Sequence, residues 1–276
     1  RCAYMAWVGH GADKASYRNA LRIAFYFTVS TPLWIGGALL QGDLRLWAWI
    51  VALAIEYAGP FFSFRTPGLG HSVPSDWHIS GGHMAERCAL FIIIALGEAV
   101  LVTGATFAGL SHDRPNTTAF VASFLGSAAM WWIYFDIGAG RASKLIEGAG
   151  LRAGLIARNA YTYLHMPIVA GIVVTAVGDA LMLFQPNGRP DIPYLLTVCG
   201  GPWLFLFGNQ AFKWTTSEMK WPPLSHHIGM IILLLIAAAS FWFDWDRLTV
   251  GLATTGALAF TAAWEWDSLS GHKLLR

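Results

Sequence analysis

Eight stretches of mostly apolar residues dominate the chain: 19–40, 44–63, 86–109, 117–139, 156–184, 192–212, 225–243 and 247–265. Each is near the roughly 20 residues that an α-helix needs to cross the hydrocarbon core of a bilayer. Nothing else limits the fold as strongly, because backbone amides inside lipid are satisfied only within helices or closed barrels. The joints carry helix breakers: "QGD" at 41–43, "FRTPGLGHSVPSD" at 64–76, "SHDRPN" at 111–116, "QPNGRPDIP" at 185–193 and "KWPP" at 220–223. The expected fold is an all-α polytopic transmembrane helix bundle of about eight spans, forming a single transmembrane helical domain over residues 1–276. "CAYMAWV" near the start reads as the tail of an upstream span within residues 1–9, so the chain is expected to be a fragment of a longer one.

Composition agrees with a lipid environment, since 12% of residues are charged where a soluble domain carries about 25%. The net charge of +2 is small and the basic residues form no stripe, which excludes nucleic acid as a partner class. The lipid bilayer is the expected partner. Cys2, Cys88 and Cys199 are far apart with no Cys-x-x-Cys pair, and are expected to be inert thiols. No Gly-rich phosphate loop and no G-x-S-x-G elbow is present, so no catalytic residues and no cofactor are expected.

The basic residues test the span assignment, because Lys and Arg of short loops accumulate on the cytoplasmic side. With eight spans, Arg1, Lys14, Arg18, Arg22, Arg65, Arg87, Arg141, Lys144, Arg152, Arg158, Lys213, Lys220, Lys273 and Arg276 fall on one side. Only Arg45, Arg114, Arg189 and Arg247 fall on the other. Both ends of the segment and the loops 64–85, 140–155 and 213–224 are therefore expected in the cytoplasm. Arg141, Lys144, Arg152 and Arg158 read first as topogenic charge, and Trp47, Trp49, Trp221, Trp245 and Trp264 as interfacial anchors.

Ionisable residues within spans cost several kcal/mol and mark the bundle interior. In "HMAERCALFIIIALGEAV", His83, Glu86 and Arg87 share one helix surface near the cytoplasmic end, and Glu98 returns to nearly that face eleven residues beyond Arg87. At 1.5 Å per residue Glu98 lies roughly 16 Å deeper, near the bilayer midplane, with Gly97 and Gly104 expected to let a neighbouring helix approach. Glu56 in the second span and Asp136 in the fourth are candidate partners of Arg87, while Arg158, Tyr161 and His165 share a side of the fifth span. Asp179 is expected at the opposite, hydrated interface, and His226 and His227 at the cytoplasmic one. Pro167 removes a backbone donor shortly after His165 and is expected to loosen the fifth helix. His71, Asp76, His78 and His83 line the approach to the third span, and His83 with Glu86 offers two ligands at i, i+3. A carboxylate-bridged metal centre requires a second Glu-x-x-His helix; none occurs, so no metal is expected.

These residues carry a resemblance. "HMAERCALFIIIALGEAV" at 83–100, "WWIYFD" at 131–136 and "YTYLHMPIVAGIV" at 161–173 resemble, in order and spacing, the bacterial low temperature requirement A family of polytopic membrane proteins. His83, Glu86, Arg87, Gly97 and Glu98 fall on positions of that family's best-defined motif. The acidic, Phe-rich motif of an earlier span in the family, of the form E-L-F-F-D-L-V-F, is absent here. The resemblance implies a multi-spanning inner-membrane protein linked to growth at low temperature. The family name describes a phenotype, and no catalytic residues carry over with it.

Three functional readings follow. The first is a transporter or channel-like protein moving a proton, ion or small solute past Glu98, His165 and the cytoplasmic polar cluster. The second is a membrane-embedded enzyme on a lipid-borne substrate, with His83 and Glu86 as acid and base. The third is a non-catalytic scaffold or sensor in which the polar residues only clamp helices together.

Overall fold

The computed structural model describes residues 4, 7, 14–73, 81–136, 138–148, 156–217 and 221–270. Among them the chain is helical without β-strands, and the isolated bridge between Thr66 and Gly70 belongs to a loop. The helices are α1 (Lys14–Leu39), α2 (Gly42–Phe61), α3 (Gly81–Ala108), α4 (Arg114–Phe135), α5 (Gly138–Gly148), α6 (His165–Phe184), α7 (Ile192–Val198), α8 (Gly200–Thr215), α9 (Leu224–Trp242) and α10 (Arg247–Ser270). A π-helical segment, Ala157–Tyr163, precedes α6.

Among the described residues, each of the eight apolar stretches is mainly helical. Among the described residues, four helical runs are both long and apolar enough to cross a membrane: Gly81–Ala108, Arg114–Phe135, Arg158–Phe184 and Leu224–Trp242. The helices α1, α2 and α10 have the length but a less apolar composition. The sixth stretch is broken at Cys199 into α7 and α8, neither of which is long enough by itself.

Helix starts follow local chemistry. The carboxylate of Asp113 accepts from the amide of Asn116 at 2.9 Å, with Pro115 in the first turn of α4. Asp191 does the same for Tyr194 at 3.0 Å at the head of α7, with Pro193 following. Each cap satisfies an amide that the helix itself leaves without a partner.

The chain forms two compact units. One holds α1 and α2, an antiparallel pair in which Ser30 and the Trp34 indole both donate to Glu56, each at 2.7 Å. The loop after α2 returns along α1. Ser63 and Phe64 adopt left-handed backbone at φ 54° and 50°, the Phe64 ring meets Tyr26 edge to face, and Arg22 donates twice to the Leu69 carbonyl at 3.0 and 2.8 Å. Arg22, expected as a boundary charge, is thus buried against its own loop.

The second unit runs from α3 onward and is organised around α6, which packs on α3, α4, α7 and α8. The approach of α6 to α8 is backbone to backbone. A Cβ built on Gly171 would lie 2.4 Å from the Phe205 amide nitrogen, and one on Gly201 would lie 2.5 Å from the Thr175 amide nitrogen. Gly97 and Gly104, expected to admit a neighbouring helix, face open space instead, with no atom within 4 Å of a built Cβ. Helices in lipid associate through packing, so small residues sit where axes come closest. Gly171→Val should therefore lower the thermal unfolding midpoint in detergent, by an overpacking cost of about 1–3 kcal/mol or more. Gly97→Ala should hold or raise it, by the helix propensity difference of about 1 kcal/mol; equal effects of the two would refute the seam.

Candidate functional site

The three sequence stretches that resemble the family meet in the second unit. Cys88 comes from α3, Tyr134 from the last turn of α4, and Tyr161 and His165 from the π-helical segment and the start of α6. The break precedes Pro167: the Leu164 amide bonds to the Asn159 carbonyl, a five-residue step, and Pro167 then lies in the first turn of α6, where a missing donor costs little. Short π segments recur at functional positions because they turn side chains out of the ordinary helical register.

The register places His165 between two partners. Its Nδ1 lies 3.0 Å from the Ala160 carbonyl, and its Nε2 lies 2.8 Å from the Tyr134 hydroxyl. A carbonyl only accepts, so Nδ1 carries the proton, and in the neutral ring Nε2 accepts from Tyr134. The Tyr161 ring stacks on His165 at 5.4 Å and 13°. Phe212 of α8 closes the cage, edge-on to His165 at 4.7 Å. Cys88 donates from Sγ to the Tyr161 carbonyl at 3.6 Å. His165 is 5% exposed. The Tyr161 hydroxyl is buried without a partner among the described residues.

A groove of about 500 Å³ opens beside this cage between α3 and α6. Its walls include Phe91, Ile94 and Val102 on α3 and Val169, Val173 and Val177 on α6, and the one charged residue among them is Glu98. Phe91 follows Cys88 by three residues and Val169 follows His165 by four, so the groove starts one turn from the cage. Glu98 is exposed to it and has no hydrogen-bond or ion-pair partner among the described residues.

The other expected site residues are dispersed. His83 and Glu86 lie 3.7 Å apart in an i, i+3 pair with both side chains largely exposed. Arg87 and Asp136 are exposed, and among the described residues no ion pair joins them. Asp136 instead ends α4, within electrostatic reach of Lys213. Glu56 is engaged by Ser30 and Trp34 inside the first unit, and Arg158 donates to the Asn159 side chain at 3.1 Å. Within the second unit the expected pairing of Arg87 with Asp136 is not formed, Glu56 bonds to α1 within the first unit, and Arg158 bonds to its chain neighbour. Asp76 and His78 lie outside the described residues. Among the described residues no group of three or more His, Cys, Asp or Glu side chains is placed to hold a metal ion.

Three positions differ from the sequence expectation by burial. Asp179 is 7% exposed rather than hydrated at an interface. His226, expected at the interface, is fully buried at 0%. Lys213, counted among loop charges, forms an ion pair with Glu265 at 2.7 Å, with the two side chains 5% and 7% exposed. In the sequence, Lys213 follows the sixth apolar stretch and Glu265 closes the eighth; only helix adjacency turns them toward each other.

The long apolar helices, packed around a caged histidine and an apolar groove that holds one carboxylate, place the chain among polytopic membrane proteins. Residues 1–263 match the model of the bacterial low temperature requirement A protein (LtrA), and the chain belongs to that family. It is similar to the uncharacterized protein RA0937 of Rhizobium meliloti (strain 1021), with 37% identity over 271 residues that cover 98% of this chain and 64% of that protein. The chain thus spans a little under two thirds of that relative's length. No solved structure matches.

The cage has a direct test. Tyr134→Phe keeps the ring and strands the Nε2 atom of His165, so unfolding in detergent should become easier by about 1–3 kcal/mol, the cost of a buried acceptor without a donor. An unchanged unfolding midpoint would mean that the bond contributes nothing.

Proposed function

We propose that this chain is the helical part of a transporter or channel-like protein that moves a proton, ion or small solute, with Glu98 as its working carboxylate. The observation that carries the reading is the placement of Glu98: a carboxylate near mid-span, open to an apolar groove and without a protein partner among the described residues. An ionised carboxylate at that depth is costly unless a proton, a cation or water neutralises it. That cost makes Glu98 a natural place for a cation or proton to bind and leave. His165, with both ring nitrogens engaged, supports this role from one turn beyond the groove by holding the π-helical break in place; it is a positioning residue rather than a carrier.

The same reading places all eight apolar stretches across a bacterial inner membrane with both ends of the segment in the cytoplasm. The Lys and Arg asymmetry supports this orientation. It also links the activity to growth at low temperature, as the family name suggests. A second reading draws on the apolar walls of the groove, which suit an acyl chain, and on the exposed His83–Glu86 pair at its cytoplasmic side. There the protein is an enzyme acting on a lipid-borne substrate, and a deletion strain should accumulate a lipid precursor.

The test is flux. The full-length protein is reconstituted into phosphatidylethanolamine–phosphatidylglycerol vesicles loaded with a pH-sensitive dye, and a proton gradient is imposed with sodium or potassium salts present. Wild-type protein should dissipate the gradient faster than empty vesicles, and Glu98→Gln should lose most of that rate. Flux that is indifferent to Glu98→Gln would remove Glu98 from the path.

A further inference from the structure

The interior of α8, α9 and α10 holds a second charged centre that the groove and the cage do not use. Lys213 Nζ donates to the Ile133 carbonyl at 2.6 Å and to both oxygens of Glu265 at 2.7 Å. The ammonium is thus held by three oxygens from two other helices, on a side chain that is 5% exposed. One turn earlier on the same helix lie Asn209, 0% exposed, and Gln210, 8% exposed. Both amide atoms of Asn209 and the Oε1 atom of Gln210 lack partners among the described residues. His226 is fully buried with Nε2 unpartnered, and Ser225 lies 3.2 Å from its Nδ1. Among the described residues, the charged and titratable groups within electrostatic reach of Lys213 are Glu265, Asp136 and His226, and His227 acts in turn on His226.

A salt bridge buried this deeply is poor as a source of stability, because desolvating both ions offsets most of their attraction and an apolar pair of similar volume often does as well. Unpartnered buried polar atoms carry a further cost unless something occupies them. Oxygen atoms gathered around a single positive charge, carboxylates and carbonyls among them, form the kind of surroundings that hard cations select, and membrane transporters hold sodium ions on backbone carbonyls within the bundle. A buried lysine, unlike an arginine, can also give up its proton.

We propose that the Lys213–Glu265 centre is an exchange site for a monovalent cation of the sodium class. A sodium ion takes the place of the Lys213 ammonium on the oxygens of Glu265 and Ile133, with Asn209 and Gln210 supplying further oxygens. Lys213 passes its proton to water as it leaves. The charge balances: one Na⁺ enters, –NH₃⁺ becomes –NH₂, one H⁺ departs, and Glu265 stays a carboxylate throughout. The centre adds a coupling ion to the transport reading and rests on that reading for its use, but the exchange itself is an equilibrium and needs no flux.

The experiment uses the full-length protein in detergent, in weakly buffered solution with a pH indicator. Sodium chloride is added against N-methylglucamine chloride at equal ionic strength, and binding of radioactive sodium is followed in parallel. Wild-type protein should release one proton per sodium ion bound. Lys213→Met should bind sodium without releasing a proton, and its thermal midpoint should rise with sodium, because the ion then replaces the lost ammonium. Lys213→Met/Glu265→Leu, an apolar pair, should fold and show neither effect, and serves as the reference if the single variant fails to fold. Wild-type protein that binds no more sodium than the double variant, or binds it without releasing a proton, overturns the proposal. Glu98-dependent flux that persists in either case shows that this centre, and not the transport reading, has failed.

Discussion

The close approach of α6 and α8 is the contact on which the second unit depends. With Gly171 and Gly201 at the crossing, the two backbones lie nearer than any side chain would permit, and a Cβ at either position would meet main-chain atoms of the other helix. In lipid there is no hydrophobic gain in bringing apolar helices together, so dispersion and hydrogen bonding at short range have to supply the association. The crossing has a consequence three turns along α8: Phe212 is brought against His165, and Lys213 is brought within reach of Ile133 and Glu265.

The two polar centres are therefore back to back. Ile133 gives its carbonyl to Lys213, and the next residue, Tyr134, gives its hydroxyl to His165. One turn of α4 ties the caged histidine to the buried ion pair, while the groove with Glu98 lies between α3 and α6. A shift of α4 along its axis would strain both sets of bonds at once. Such coupling through a shared rigid element is the physical form that communication between two sites takes in a packed bundle.

Much of this was legible in the chain before folding. The apolar stretches are helices in the structure as their length requires, and the stretches at 83–100, 131–136 and 161–173 stand out in the chain itself. Their convergence on His165 was not readable, because it depends on which helices are neighbours and not on any local pattern. Periodicity placed Glu98 on the face of Arg87, but it could not say whether that face meets a helix or a groove. Gly97 looked like a contact point because glycine is small, yet smallness matters only where another backbone arrives, and that happens at Gly171 and Gly201.

By itself the sequence determined the class of fold, since about 20 apolar residues in a row leave the backbone no alternative to a helix in lipid. It determined as well where the helices start, through local caps such as Asp113 and Asp191. The tertiary structure alone decided which charges are interior. Lys213 and His226 stand at the ends of apolar stretches, where sequence reads them as boundary residues, yet both are buried, Lys213 against Glu265 of another helix. Depth along a helix is a property of one segment, whereas burial is a property of its neighbours; only the first is written in a single stretch of residues.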